Sequence, residues 1–153
     1  MSLSTLGDFP KILIGIDPDL KKSGFAVWYK DEKDLNIGTL SFFDLQEALR
    51  NWSRDWIHGS VEVIIEAGWL NSKSNFHSSK KQSKVVGERI AKNVGENHAT
   101  GKLIAEMCEH LKLNYKLVKP TTKKTDKDLF KKITGIDCKN QEMIDAAMMV
   151  YGL

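Results

Sequence analysis

Short apolar runs separated by polar turns predict an alternation of strands and helices along the chain. Runs rich in Ile, Val or aromatic residues that end at turn-forming residues are typical of strands. Apolar residues spaced three or four apart predict the helices. The predicted strands cover residues 11–17, 23–30, 36–43, 61–66 and 114–118. The predicted helices cover residues 44–57, 96–111 and 126–133, and run from 140 to the end of the chain.

The order of these elements predicts an α/β fold. Three successive strands joined by short turns favour an antiparallel meander. Two further strands, each preceded by a helix, complete a five-stranded mixed sheet with helices on both faces. Asp44 and Thr125 are the predicted N-caps of two helices, and Gly135 is the predicted stop of one. The stretch 71–84 is polar and rich in Ser and Lys, and we expect it to be a mobile loop.

The composition is that of one globular domain. The chain has 153 residues, of which 41% are hydrophobic and 28% charged. We expect residues 11–153 to form a single domain and residues 1–10 to be a flexible lead-in. No apolar run approaches the roughly 20 residues of a membrane span, and the start of the chain lacks a secretory pattern. Cys108 and Cys138 lack metal-ligand spacing, so we expect free thiols and a cytoplasmic protein.

The net charge of +3 is unevenly distributed. Residues 1–66 contain 7 Lys/Arg and 11 Asp/Glu, whereas residues 67–153 contain 16 and 9. A lysine-rich surface often serves solubility alone. The excess indicates a polyanionic partner only if an acidic site needs an anionic substrate beside it.

Acidic residues end two of the predicted strands and open the last helix. Asp17 ends the first strand and Glu66 ends the fourth. If these strands are parallel neighbours, the two carboxylates meet at one edge of the sheet. Glu142 and Asp145 are three apart on a helix and therefore adjacent, and they join the pair if that helix packs there. Converging carboxylates repel one another unless they bind cations, and oxygen ligands favour Mg²⁺ or Mn²⁺, of which two would suit phosphodiester cleavage.

Each acidic residue also has a purely structural explanation. Asp17-Pro18 is a turn signal, and Glu66 is followed by a residue pair, Ala-Gly, that can end a strand. Glu142 is favoured at a helix N-terminus by the helix dipole, and it lies away from the apolar side of its helix. The metal-site hypothesis therefore depends on the joint placement of these residues.

These stretches resemble the RuvC-type Holliday junction resolvases of the RNase H-like superfamily. The family's opening hairpin is matched by ILIGIDPDLKKSGFAVW (12–28), its second acidic strand by VIIEAGW (63–69), and its closing acidic helix by NQEMIDAAMMV (140–150). The central helix is matched by ENHATGKLIAEMCEHLKL (96–113) and the basic stretch by KPTTKKTDKDLFKKITG (119–135). The matching segments follow one another in the family's order.

The resemblance implies an RNase H-like fold and a homodimer whose two sites cut opposed strands of a four-way DNA junction. Matching positions assign metal-binding catalytic roles to Asp17, Glu66 and Asp145. Glu142 stands where the family usually has aspartate, and Asp19 stands where it normally has glycine. The implied activity is that of an endonuclease that uses Mg²⁺ or Mn²⁺, with two ions per site, in DNA recombination and repair.

Basic and aromatic residues supply candidate contacts with DNA. Five of the seven lysines between the last strand and the last helix are candidates for binding phosphates without reading sequence, although a solvated helix face gives the same pattern. Trp69 can stack on an unpaired base, although burial is commoner for a lone Trp. His77 and His98 are weaker candidates for proton transfer, because a surface histidine is the commoner case. The candidate DNA-binding lysines are Lys119, Lys123, Lys124, Lys131 and Lys132.

Three other functions fit parts of the pattern. Nucleases that process ribosomal RNA precursors share the fold and the Gly-Ile-Asp motif, but the Asp-Pro pair and the closing acidic helix favour a resolvase. A catalytically inactive DNA-binding relative does not need all four acidic residues. Actin-like and sugar-kinase ATPases also begin with Gly-Ile-Asp, but they need two such domains, and 153 residues supply one.

Overall fold

The computed structural model describes residues 9–71 and 84–153, and a single sheet runs through its centre. The predicted lead-in falls largely on residues 1–8 and the predicted polar loop on residues 72–83, which both lie outside the described residues. The strands are β1 (Ile12–Asp17), β2 (Ser23–Tyr29), β3 (Asp34–Leu40), β4 (Val61–Glu66) and β5 (Asn114–Val118). The helices are α1 (Phe42–Asp55), α2 (Lys84–His110), α3 (Lys127–Thr134) and α4 (Gln141–Met148), and a short 3-10 turn covers Gly68–Leu70.

The strands lie in the order β3-β2-β1-β4-β5. β2 is antiparallel to both β1 and β3, whereas β4 is parallel to β1 and β5 is parallel to β4. The predicted meander is therefore confirmed, as is the five-stranded mixed sheet. This order of strands and their directions are those of an RNase H-like fold. Parallel pairing brings the C-terminal ends of β1 and β4 to the same edge of the sheet.

Alternating side chains of the central strand face two separate hydrophobic cores. Ile14 and its neighbours two residues away pack with α1 and α2, where Leu49 and Ile104 are fully buried. Leu13 points to the opposite face, where it packs with Phe130 of α3 and with residues of α4. Successive side chains of a strand point to opposite faces of the sheet, so a strand whose two faces are both covered contributes to two cores. The prediction of helices on both faces is confirmed.

Four predicted boundaries were wrong, two of them because a neighbouring residue caps the helix instead. Ser41, not Asp44, caps α1, since its hydroxyl accepts a hydrogen bond from the Asp44 amide at 3.3 Å. The third strand consequently ends at Leu40. Asp126, not Thr125, caps α3 through the Leu129 amide at 2.8 Å. The last helix begins as predicted but ends at Met148, before the end of the chain.

The long helix α2 differs most from the prediction. It begins by Lys84 rather than at residue 96. Its N-terminal half carries exposed polar residues and two glycines, Gly87 and Gly95, which weaken the sequence signal for a helix. The C-terminal half has the clearer apolar period of a helix, and it buries Ile104 and Cys108.

The two cysteines agree with the expectation of free thiols. Cys108 and Cys138 are free and buried in different cores. Burial raises the pKa of Cys108 to about 12, so its thiol stays protonated at neutral pH. Across residues 9–71 and 84–153, no helix has both the length and the apolar character needed to cross a membrane.

Two glycines let the backbone of α4 lie directly on the sheet. A Cβ added at Gly15 of β1 would come within 3.0 Å of the Ala146 carbonyl oxygen. A Cβ added at Gly24 of β2 would come equally close to the carbonyl group of Glu142. Real Cβ atoms do not approach backbone this closely, so both positions require glycine. The contact determines how near the acidic side of α4 lies to the end of β1.

We predict that Gly24→Ala lowers the free energy of unfolding by about 3 kcal/mol. The added methyl group would collide with backbone atoms of α4, which cannot move aside as a flexible side chain can. Urea denaturation measures the loss. Gly38→Ala in β3 is the matched control, since an added Cβ there has nothing within 4 Å, and it should change stability by less than about 0.5 kcal/mol. Similar losses for the two variants would show that α4 does not press on β2.

Candidate metal centre

Three carboxylates meet where β1, β4 and α4 converge. Asp17 is the last residue of β1, and Glu66 is the last residue of the parallel neighbour β4. Asp145 comes from α4, which the two glycines hold against the sheet. One oxygen from each side chain lies within 4.8 Å of the other two. The parallel pairing of β1 with β4, together with the packing of α4 on the sheet, therefore brings three of the four candidate acidic residues together.

Burial and mutual repulsion make this cluster unfavourable as three free anions. The side chains of Glu66 and Asp145 are only 12% and 11% exposed. Burial raises the pKa of Asp17 to about 8, with further contributions from the negative charges of Glu66 and Asp145. In the absence of a metal ion, Asp17 is therefore largely protonated at neutral pH. A positive charge in the cluster would favour the ionised form.

Lys124 supplies one positive charge to the cluster. Its ammonium group lies 2.8 Å from Asp145 Oδ2 and 3.4 Å from Glu66 Oε1. Burial alone would lower the pKa of Lys124, but the hydrogen bond to Asp145 and the charges of Glu66, Asp145 and Asp17 outweigh it, so the pKa is raised. Lys124 was predicted to contact DNA, and here it is paired with the acidic cluster.

Gln141 completes the hydrogen bonding of Asp145. Its side-chain amide donates to Asp145 Oδ1 at 2.8 Å and to the Thr125 carbonyl oxygen at 2.9 Å. Gln141 was missed in the sequence, although it lies four residues before Asp145 and therefore on the same side of α4. One amide thus orients a carboxylate of the cluster and holds the segment that carries Lys124.

The three carboxylates fit a divalent metal ion of the hard, oxygen-binding type. Carboxylate oxygens are preferred by Mg²⁺ and Mn²⁺ over nitrogen or sulfur ligands. The cluster carries more negative charge than Lys124 balances, and the raised pKa of Asp17 reflects burial together with this excess. Asp17, Glu66 and Asp145 are the residues that would hold such an ion.

Glu142, the fourth candidate ligand, lies outside the three-carboxylate cluster. Its side chain hydrogen-bonds to Asp19. Burial, together with the charge of Asp19 and that hydrogen bond, raises the pKa of Glu142 to about 7. Glu142 therefore keeps its proton to a higher pH than an exposed glutamate does. A metal-binding role for Glu142 remains a prediction.

Two cavities open on either side of Glu66. One, of about 240 Å³, is lined by Asp17, Glu66, Trp69 and His98, among others. The other, of about 230 Å³, lies between Glu66 and Asp145 and includes Lys119 and Lys124. Both therefore give access to the acidic cluster, one from the side of α2 and the other from the side of α4.

Trp69 is packed against α2 while it still lines the first cavity. A Cβ at Gly101 would lie 2.5 Å from Trp69 Cζ3, so Gly101 leaves the space that the indole occupies. The Trp69 ring lies 6.2 Å from the His98 ring in an edge-on arrangement, and Lys102 Nζ lies 6.0 Å from the ring centroid. His98 lines the same cavity. Stacking of Trp69 on a base remains a prediction, and His77 lies outside the described residues.

The structure separates the five candidate DNA-binding lysines into two groups. Lys119 and Lys124 line a cavity with the carboxylates, and Lys123 is exposed on the same segment between β5 and α3. Lys131 and Lys132 are exposed on α3 instead, where Lys131 lies 3.9 Å from Asp137. The first group is thus attached to the acidic cluster, whereas no contact among residues 9–71 and 84–153 connects the second group to it directly.

Asn97 is a further residue of the first cavity that the sequence did not reveal. Its side-chain oxygen accepts a hydrogen bond from the Leu20 amide at 3.1 Å, across 77 positions of the chain. The bond ties the turn after Asp17 to α2. A polar residue in the middle of a helix has no local pattern that marks such a contact.

Comparison with known proteins finds a likeness in solved structures alone. No protein family model matches the chain, and no curated protein does. The structure of RuvC from T. thermophilus in complex with a Holliday junction substrate has 11% identity and a TM-score of 0.49, over 88% of this chain and 87% of that chain. A second Thermus thermophilus RuvC structure has 12% identity and a TM-score of 0.47, over 88% of each chain. At this level of identity, no residue role is transferred from either structure.

We predict that Asp17→Asn stabilises the metal-free protein. The pKa of Asp17 in the folded protein, about 8, lies above its ordinary value of 3.8, so the folded protein retains a proton that the unfolded chain releases. The wild type should therefore lose stability as the pH rises from about 4 to 8. The variant should avoid that loss and be more stable by about 2 kcal/mol near pH 8.

Thermal melting in EDTA across this pH range tests the prediction. Glu106→Gln, which changes an exposed carboxylate of α2, is the control and should follow the wild type. Added Mg²⁺ should raise the melting temperature of the wild type more than that of Asp17→Asn, because only ligands bound by the folded state stabilise it. Parallel pH profiles for the wild type and Asp17→Asn would contradict the buried position of Asp17.

Proposed function

We propose that this protein is a divalent-metal-dependent endonuclease that cleaves branched DNA, in particular a Holliday junction resolvase. The observation that carries the proposal is the meeting of Asp17, Glu66 and Asp145 within 4.8 Å at the end of the sheet. Carboxylates that are this crowded and this buried lower the stability of a domain, so a purely structural role explains them poorly. A role in binding cations explains them well.

The proposed roles follow from the position of each side chain. Asp17, Glu66 and Asp145 hold the metal, and Gln141 keeps the Asp145 carboxylate oriented through a 2.8 Å hydrogen bond. Burial and the nearby charges of Asp19 and Asp145 raise the pKa of Glu142, so it can release a proton when positive charge arrives. Two Mg²⁺ or Mn²⁺ ions, when bound, supply activation of a water molecule and stabilisation of the leaving oxygen in phosphodiester cleavage.

A nucleic acid is the substrate class that matches the surroundings of the cluster. Acidic residues alone repel phosphates, but Lys119 and Lys124 line one of the two cavities and Lys123 lies on the same segment. Lysines in this place can hold a phosphate backbone beside the metal ligands without reading its sequence. Trp69 borders the other cavity and offers an aromatic edge to an unpaired base at a branch point.

The choice of a four-way DNA junction rests on the motifs that resemble the RuvC-type resolvases, from GIDP after the first strand to the closing NQEMIDAA helix. The same motifs support a homodimer, since two sites are needed to cut opposed strands. The acidic cluster itself suits RNA hydrolysis equally well, so an RNA nuclease of the kind that processes ribosomal RNA precursors is the second candidate. The substrates of the assay therefore include RNA.

The proposal is tested by cleavage of a synthetic four-way junction in Mg²⁺, beside linear duplex, flap and single-stranded RNA substrates. A junction resolvase should cut the junction in preference to the other three and should do nothing in EDTA. Equal cleavage of every substrate would leave a nuclease but reject the resolvase. Preferential cleavage of RNA would favour the second candidate.

We expect Asp17→Asn to reduce junction cleavage by about a thousandfold or more, as for the loss of other essential catalytic groups. Binding of the junction should persist or tighten, because one negative charge has been removed beside the phosphates. Cleavage and fluorescence anisotropy measure the two effects. Glu106→Gln is again the control and should keep full activity. Normal turnover by Asp17→Asn would show that this carboxylate is not part of the reaction.

We expect the double variant Lys119→Met/Lys123→Met to bind the junction more weakly and with a lower salt dependence. Loss of two phosphate contacts should reduce the slope of log K against log salt by about 2. The control is Lys30→Met/Lys33→Met in the turn between β2 and β3, at the opposite end of the sheet. An unchanged slope in the first double variant would mean that neither lysine contacts phosphate.

A further inference from the structure

Lys124 occupies the position of a counter-cation within the acidic cluster. Its ammonium lies 2.8 Å from Asp145 Oδ2 and 3.4 Å from Glu66 Oε1. The other oxygen of Asp145 accepts a hydrogen bond from Gln141 at 2.8 Å. Both oxygens of Asp145 are therefore engaged by the protein itself.

The segment that carries Lys124 is held at the site by a separate contact. Gln141 also donates to the carbonyl oxygen of Thr125, the residue that follows Lys124, at 2.9 Å. That hydrogen bond does not involve the ammonium group. The backbone beside Lys124 can thus stay in place when the side chain moves.

Lys124 and a divalent ion compete for the same oxygens. A metal held by Glu66 and Asp145 needs lone pairs that the ammonium occupies, and two cations at one site repel strongly where water is scarce. Glu66 and Asp145 are nearly buried, but the Lys124 side chain is 46% exposed. Lys124 is therefore the partner that can leave, since its flexible stem lets the charge reach the solvent side of the cavity.

We propose that Lys124 acts as a resident cation which metal binding displaces from the carboxylates toward the phosphate backbone of the DNA, so that metal binding and DNA binding strengthen each other. The inference rests on the proposed nuclease function and adds a regulation of the same site. In the metal-free protein, Lys124 must break its ion pairs before it can bind phosphate. After the exchange it is available, and by linkage bound DNA must raise metal affinity by the same factor.

The first test is the affinity for Mn²⁺, measured by isothermal titration calorimetry without DNA and at the same pH for every variant. Lys124→Met removes the competing cation, so the variant should bind Mn²⁺ about tenfold more tightly than the wild type. Lys127→Met removes the same charge from an exposed position three residues further along the chain and should stay within about twofold. A lysine with a merely structural role would leave Mn²⁺ affinity unchanged or lowered on removal.

The second test is the coupling between metal and DNA, measured as the ratio of junction affinities in Ca²⁺ and in EDTA. Every variant gains some affinity in Ca²⁺, because the ion neutralises carboxylates beside the phosphates. The wild type and Lys127→Met should show a ratio about fivefold larger than Lys124→Met, because only Lys124 changes partner on metal binding. Equal ratios in all three proteins would overturn the inference.

A charge-retaining variant keeps the test informative if Lys124→Met does not fold. Arginine binds carboxylates through two parallel hydrogen bonds, so Lys124→Arg should hold the cluster more firmly and weaken Mn²⁺ binding several-fold. Tighter Mn²⁺ binding by Lys124→Arg would contradict the exchange. Absence of Mn²⁺ binding by the wild type would instead overturn the proposed function, so the two failures are distinguishable.

Discussion

The close packing of the α4 backbone on two glycines of the sheet determines whether the acidic residues form one site. Gly15 and Gly24 lie on neighbouring strands, and each faces a carbonyl group of α4 at a distance that no side chain would permit. Because the backbone of α4 packs so closely on the sheet, the side chain of Asp145 reaches the ends of β1 and β4. The proposed catalytic geometry thus depends first on how the backbone of α4 packs on the sheet, because that packing determines where the acidic side chains lie.

The same arrangement lowers the stability of the metal-free domain, because it brings negative charges together at the end of the sheet. Carboxylates that are nearly buried and mutually repulsive destabilise the metal-free domain, and a single lysine compensates only in part. Sites of this kind are expected where function opposes stability. The two hydrophobic cores, which are built on alternate residues of β1, provide the stability that offsets the cost.

Much of this arrangement follows from local sequence patterns, and the remainder depends on contacts between distant segments. The two-residue period of β1 and the apolar run before Glu66 predicted the two strands, and the meeting of Asp17 with Glu66 followed only on the condition that these strands pair in parallel. Ser41 and Asp44 are both suitable N-caps, so no local pattern could choose between them. The pairing of Lys124 with Glu66 joins residues 58 positions apart, and no helix or strand period relates such positions. The pairing of Asp19 with Glu142 is equally non-local.

The most direct test of the account is the location of a bound metal ion. Anomalous diffraction from crystals grown with Mn²⁺ should reveal an ion bound by oxygens of Asp17, Glu66 and Asp145, at about 2.2 Å from each ligand atom. Lys124 should then have left its position between Glu66 and Asp145. An ion bound elsewhere, or a structure in which Asp145 lies far from the ends of β1 and β4, would contradict the claim that these residues form one metal centre.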